Sequence, residues 1–250
     1  MIQIKKLLPL ATRVSMQRFL YKYSFSLSQM GQDHWVYGEA FNEKRNGYFL
    51  DIGAHDGIII SNTYILEKRY KWTGICIEAN PITFVQLKKN RHAICLNFCL
   101  DWSEREVNFI LRGADGGIID RDVDNKEWDA ITDKIIKLKT RSLISVLEEH
   151  HAPNIIDYLS IDVEGAEERI LAGFDFHKYA FRSITIERPT KLLRDLFREH
   201  GYILIKEIPE FDCFYVHRDF LKEYLTNLFR YYCKKHLKIR WTSSFAAHRK

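Results

Sequence analysis

The chain has 250 residues, 46% of them hydrophobic and 28% charged, enough to bury a sizeable core, which excludes a disordered chain. The formal charge of +5 is unevenly placed: Lys5, Lys6, Arg13, Arg18 and Lys22 meet no acid in residues 1–27, and eight Lys or Arg meet only Glu223 in residues 221–250, so the body between is acidic. Five cysteines are scattered at 76, 95, 99, 213 and 233, and Cys95 and Cys99 have no second pair, which argues against a zinc site and for a reducing compartment.

The first residues, Met1 to Ala11, look superficially like a signal peptide, but the apolar core is short and Arg13 interrupts it. No stretch of about 20 apolar residues exists to span a membrane. The expected location is therefore cytoplasmic. We read residues 1–27 as a basic helical extension, 28–218 as one catalytic domain and 219–250 as a basic amphipathic tail.

Along the body, strand and helix patterns alternate. Phe49–Ile52 reads as a strand, 61–69 as a helix, Gly74–Ile77 as a strand, and Pro81 opens a helix to about Asn90. Strands are expected at 93–100 and 107–111, followed by a Gly- and Asp-rich stretch, 112–133, anchored by Ile118, Ile119 and Trp128. So long a connection is expected to be functional, placed where a lid over a ligand would sit. Ile135 to Leu138 is strand-like, Ser142 caps a helix to Glu149, and strands at 158–161 and 183–186 bracket a helix from Glu167. A helix at 192–200 stops at Gly201, and 202–206 with 213–216 form a closing pair joined through Pro209. This alternation predicts an α/β fold of Rossmann-like type, a seven-stranded mostly parallel sheet with an antiparallel last strand and helices on both faces.

The most informative stretch is Tyr48-Phe49-Leu50-Asp51-Ile52-Gly53-Ala54-His55-Asp56-Gly57, with Glu78 following 27 residues after Asp51 at the end of a second apolar run. That distance suits one strand–helix–strand unit. Gly53 and Gly57 permit a sharp turn and close approach to a ligand, and Glu78 at a strand tip can accept both hydroxyl protons of a ribose. A dinucleotide fingerprint needs glycines at 53, 55 and 58, whereas the chain has Gly53, His55 and Ile58, which argues against NAD. Asp51 ahead of the glycine favours a ligand with a positive amino group. S-adenosylmethionine carries that group, a ribose and no phosphate.

These residues resemble the FkbM family of methyltransferases. The resemblance rests on Ser28-Gln29-Met30-Gly31-Gln32-Asp33, on Gly47 to Gly57, and on Ser61-Asn62-Thr63, Leu66-Glu67-Lys68 and Trp72-Thr73-Gly74. Glu78-Ala79-Asn80-Pro81 and Leu159 to Glu167 complete it, over about residues 28–217. It implies the class I methyltransferase fold, S-adenosylmethionine as donor, and O-methylation of hydroxyls on sugars and natural products. It also implies that the 28–33 block covers the pocket, which makes Gln32 and Asp33 site candidates.

Acids end five successive strands: Asp51, Glu78, Asp101, Asp162 and Glu187. We expect Asp51 at the amino-acid end of the donor, Glu78 on its ribose, and Asp101 or Trp102 bordering adenine. Donor contacts are expected from Asp51, Gly53, Ala54, His55, Asp56, Gly57, Asn62, Glu78, Ala79, Asn80, Asp101, Trp102 and Asp162. Methyl transfer to a hydroxyl needs an aligned oxygen and a group to take its proton. Asp162 is the first candidate, then Glu164, with Glu187 on the neighbouring strand and His55 in the glycine turn. Oxygen ligands suit Mg2+, so Asp162 and Glu187 are candidate metal ligands. Glu167 reads as an acid placed by the dipole of the helix it opens.

Partners expected are a small-molecule or glycan acceptor and, through the basic ends, an anionic membrane or polyanionic glycan in peripheral contact. The apolar stripe Phe220, Leu221, Tyr224, Leu225, Leu228, Phe229 and Tyr232 in the tail must pack on the domain, on a dimer mate or on a membrane. Two other classes compete. One is a non-catalytic scaffold or trafficking protein with this fold, which intact Asp51, Gly53, Glu78 and Asp162 oppose. The other is an RNA methyltransferase, suggested by the basic ends and opposed by the lack of an Asn-Pro-Pro-Tyr-like pocket.

Overall fold

A computed structural model describes residues 26–129 and 131–237 of the chain. The expected N-terminal extension and the last residues of the tail lie outside the described residues. A helical turn α1 (Gln32–His34) runs into a π-helical segment (Trp35–Ala40), and then strands and helices alternate as the sequence predicts. They are β1 (Tyr48–Ile52), α2 (Tyr64–Tyr70), β2 (Thr73–Ile77), α3 (Pro81–Asn90) and β3 (Ile94–Leu96). After an inserted stretch come α4 (Leu143–Glu149), β8 (Ile155–Ile161), α5 (Glu167–Leu171), β9 (Ala180–Glu187) and α6 (Lys191–Glu199). The hairpin β10 (Tyr202–Glu207) and β11 (Asp212–His217) leads into α7 (Leu221–Leu237).

Seven strands form one sheet in the order β10-β11-β9-β8-β1-β2-β3. The central neighbours are parallel, and β11 runs antiparallel to both β9 and β10. The last strand of the chain is thus inserted beside β9 rather than added at the edge. Strands buried on both faces need apolar residues at consecutive positions. Phe49, Leu50 and Ile52 of β1 and Ile156, Tyr158, Leu159 and Ile161 of β8 meet that need, and all are buried.

The strand expected over 93–100 divides. The Asn97 side chain donates to the carbonyls of Glu78 (2.7 Å) and Ala79 (3.1 Å), which turns the chain after β3. The next residues form β4 (Cys99–Leu100), which joins β7 (Ile135–Arg141), β5 (Glu106–Ile110) and β6 (Gly117–Ile118) in a second sheet. Between β5 and β7 the long segment is held by buried Ile118 and Val123, whereas Trp128, an expected anchor, is half exposed.

The tail is built into the body over its described length. Phe220 and Tyr224 are buried beside Trp35 and Phe41, and Asn227 donates to the Ala40 carbonyl at 2.9 Å. The π-helical segment accommodates α7 because Gly38 leaves room for the Tyr231 ring, which a Cβ would meet at 2.8 Å. The expected stripe therefore divides: Phe220, Tyr224 and Leu228 face the body, and Leu225, Phe229 and Tyr232 face outward. Among the described residues no helix is long and apolar enough to cross a membrane.

Candidate functional site

The parallel strands β1, β2, β8 and β9 end at one edge, where a cavity of about 1110 Å³ opens. That exceeds the upper range for a single drug-sized ligand and leaves room for a second molecule. Asp51, Gly53, Ala54, His55, Asn62, Glu78 and Ala79 line it, together with Asp162, Glu164 and Glu187. Ser160, whose hydroxyl accepts from the Asn62 amide at 2.9 Å, also lines it. Its one legible signal is a polar residue inside an apolar strand.

The two glycines serve the protein's own packing. At Gly53, with φ +86°, a Cβ would come within 1.8 Å of the Asp162 carbonyl oxygen. Gly53 therefore lets the ends of β1 and β8 close together, as does the Asp162 N–H bond to Ile52 O at 3.1 Å. At Gly57, with φ +78°, a Cβ would meet Leu87 and Arg91 at 2.7 Å, so this glycine faces α3 and not the cavity. Asp56 and Asn80 also leave the cavity lining: Asp56 accepts from the Ile58 and Ile59 amides (2.9 and 2.7 Å), and Asn80 caps α3 through Ile82 N (3.0 Å).

Glu78 is buried and its two oxygens accept from the backbone, Oε2 from His55 N at 2.8 Å and Oε1 from Asn80 N at 2.7 Å. Each carboxylate oxygen keeps a further lone pair, so the group is oriented yet able to receive two hydroxyls. Burial raises its pKa against those two bonds. Asp51 accepts from Thr63 Oγ1 at 2.5 Å and has Arg91 within 3.9 Å. Arg91 is fully buried, with Nε on Glu67 at 2.8 Å and Nη2 on Thr63 at 2.9 Å, and it supports this wall from behind. Burial raises the Asp51 carboxyl despite the guanidinium.

Asp101 and Trp102, the expected adenine border, are placed elsewhere. Asp101 is buried between Arg169 (2.9 Å) and Arg105 (2.8 Å), and the Trp102 ring packs against the same two guanidinium groups. Phe98, Cys99 and Leu100 line the cavity in their place. His55 sits at φ +49° with Nδ1 3.7 Å from Asp56. Burial pulls its imidazole pKa down, and the Asp56 and Glu78 carboxylates outweigh that and push it up.

Further acids converge where β8 and β9 end. Ligand oxygens of Asp162, Glu167 and Glu187 lie within 4.8 Å of one another. Burial, and then Glu187, Glu164 and Glu167, push the Asp162 carboxyl well up. Burial and Glu187 push Glu164 up to about 7, and burial pushes Glu167 to about 7 although the Val163 N–H donates to it at 2.9 Å. Arg188 pairs with Glu187 at 3.0 Å and with Glu164 at 3.6 Å. Glu167 does open its helix, as its sequence position predicts, and it also joins this group. Asp212, paired across β9–β11 with Glu187 and pushed up by burial to about 6, has no counterpart in the sequence expectations.

The Methyltransferase FkbM domain description matches residues 51–204, more than half of the chain. The chain belongs to the FkbM methyltransferase family. Among solved structures, a TehB-like SAM-dependent methyltransferase from Corynebacterium glutamicum shares 11% identity, with 82% of this chain and 95% of that chain covered at a TM-score of 0.42. The human methyltransferase 10 domain containing protein shares 13% over 82% and 94%, also at 0.42. The METTL16 MTase domain shares 14% over 73% of this chain and 64% of that chain, at 0.39. No curated protein matches the chain.

As an FkbM methyltransferase the protein uses S-adenosylmethionine, and the cavity's residues fit it. Oriented Glu78 offers lone pairs for ribose hydroxyls, Asp51 lies at the β1 end, and Phe98 and Leu100 give an apolar wall. The FkbM 28–33 block is divided in its placement. Gln29 and Met30 line the cavity. Asp33 turns away to accept from Leu27 N (2.8 Å) and Ser28 Oγ (2.6 Å), and Gln32 donates to Asp212 at 2.8 Å. Of the segment expected to cover the cavity as a lid, Arg112 to Ile118 line it. Two arginines fasten that segment, Arg169 to Asp120 and Asp122 (3.0 Å each) and Arg188 to Asp124 (2.5 Å).

Proposed function

We propose that this FkbM methyltransferase acts on a hydroxyl oxygen of a glycan or sugar-containing small molecule, in the cytoplasm. The observation that carries the reading is that Asp162 and Glu164, carboxyls pushed up by burial and by neighbouring acids, line the same cavity as Glu78. S-adenosylmethionine supplies an electrophilic methyl group when bound. An alcohol is a poor nucleophile at neutral pH, so its proton must pass to the protein as the new O–C bond forms. Glu164, held at about 7, is partly ionised near neutrality and suits a base of that strength. Asp162, whose carboxyl burial and the neighbouring acids push up, lines the cavity beside it and orients the acceptor oxygen. This reverses the order in which the sequence ranks the two. Gln29, Asp115 and Arg188 add polar groups in the same cavity, as a polyhydroxylated acceptor requires.

The test is transfer of a radiolabelled methyl group to a panel of sugars and amines. Transfer to sugar hydroxyls is expected, falling by about 10² or more in Glu164→Gln while donor affinity is kept, the range of a lost general base. Transfer confined to amines would overturn the reading. A second reading, a divalent cation such as Mg2+ on Asp162, Glu167 and Glu187, is favoured by their convergence. The Val163 N–H on Glu167 and Arg188 on Glu187 compete with an ion for the same oxygens. Treatment with EDTA is therefore expected to leave activity unchanged, and loss restored by Mg2+ would establish the cation instead.

A further inference from the structure

We propose that the outward face of α7 docks on an anionic lipid surface. Leu225 and Phe229, one helical turn apart, are 54% and 61% exposed. Tyr232 continues their line, its ring exposed and its hydroxyl 3.5 Å from Glu39. Lys222 flanks Leu225 on the same face, and Arg218 and Lys222 rim the shallow groove that Leu225 and Phe229 enter. Of the nearby acids, Glu223 is paired with Arg182 at 3.1 Å and Glu43 with Lys234 at 3.5 Å, Asp219 lies beside His217, and Glu39 lies under the Tyr232 hydroxyl at the far end of the line. Beyond residue 237 the sequence adds Lys238, Arg240, Arg249 and Lys250 with no acid, and Trp241 and Phe245 among them.

Exposed Leu and Phe on a helix rimmed by Lys and Arg match the interface between headgroups and acyl chains, where apolar side chains enter and basic ones remain with the phosphates. A second copy fits less well. A two-fold pairing of this face would set Lys222 and Arg218 against their own copies. It would also bury roughly 300 Å² per partner, estimated from three half-exposed large side chains, against about 800 Å² for a standard interface. A polyanion such as RNA would use the basic rim and leave Leu225 and Phe229 without a role. The partner is therefore a membrane with anionic headgroups.

The experiment is sedimentation of the full chain with vesicles of phosphatidylcholine alone and with about 30% phosphatidylglycerol, at roughly 0.1 M salt. The wild type is expected to bind the anionic vesicles at least about tenfold more tightly than the neutral ones. The double variant Leu225→Gln, Phe229→Gln is expected to lose about tenfold of that binding, with melting temperature and S-adenosylhomocysteine affinity unchanged. Three results would overturn the proposal. They are no binding to anionic vesicles, equal binding by the double variant (charge alone, as for RNA), or a dimer in sedimentation velocity that the double variant abolishes.

Discussion

Glu167 and Glu67 show how position decides the chemistry of one side chain. Burial lifts Glu167 from an ordinary 4.5 to about 7, so between those values the folded chain holds a proton that the unfolded chain has lost. Its contribution to stability is full below about 4.5 and falls as pH rises through about 7. Glu167→Gln keeps an oxygen for the Val163 N–H and cannot ionise. The variant is expected to be more stable than wild type at pH 8, by on the order of 2 kcal/mol, and to lose less stability between pH 5 and 8. Thermal melts across that range check it, and parallel curves would contradict it. Glu67 runs the other way. Burial opposes its charge, yet Arg91, Lys68 and the His92 N–H hold it down to about 2, so its contribution is present above 4.5 and lost as pH falls toward 2. Arg91 reaches both this carboxylate and Asp51, and its removal leaves buried Asp51 without its guanidinium and Glu67 with Lys68 alone. Arg91→Met is expected to cost about 3–5 kcal/mol in urea denaturation, and a loss below about 1 kcal/mol would contradict that role.

At the scale of elements, the segment after β5 that lines the cavity is fastened by ion pairs as well as by packing. Ile118 and Val123 are its buried apolar anchors, and Arg169 reaches out from α5 to Asp120 and Asp122. Those two acids are partly exposed, so each pair is worth up to about 1 kcal/mol. The double variant Asp120→Asn, Asp122→Asn is expected to be cut by trypsin at Arg121 or Lys126 about fivefold faster, with the body intact. Unchanged cleavage would show that packing alone holds the segment. The sequence marks this segment by its length and its Gly and Asp content, and its first part, Arg112 to Ile118, lines the site. It did not reveal the fastening, because Arg169 lies 47 residues beyond Asp122 and shares no local pattern with it.

For the whole molecule, what was legible follows from the periodicity of a parallel sheet. Apolar runs broken by acids predict strands whose carboxyl ends meet at one edge, and Asp51, Glu78, Asp162 and Glu187 do meet there. Asp101 fits the same pattern but serves Arg169, because its strand leaves the main sheet after Asn97. Asp212 was not legible, since it comes beside Glu187 at the start of an antiparallel strand and not at the end of a parallel one. Neither was Arg112, which enters from an inserted sheet. The central claim, that Glu78 holds the ribose of S-adenosylmethionine in this cavity, is tested most directly by calorimetric titration with S-adenosylhomocysteine. In Glu78→Gln an amide NH2 must face the N–H of His55 or Asn80, and the charge that strengthens both hydroxyl bonds is lost. The account predicts binding by the wild type and about 100-fold weaker binding by the variant. Equal affinity in the two proteins, or no binding by folded wild type, would contradict it, and the second result would return the fold to the role of a scaffold.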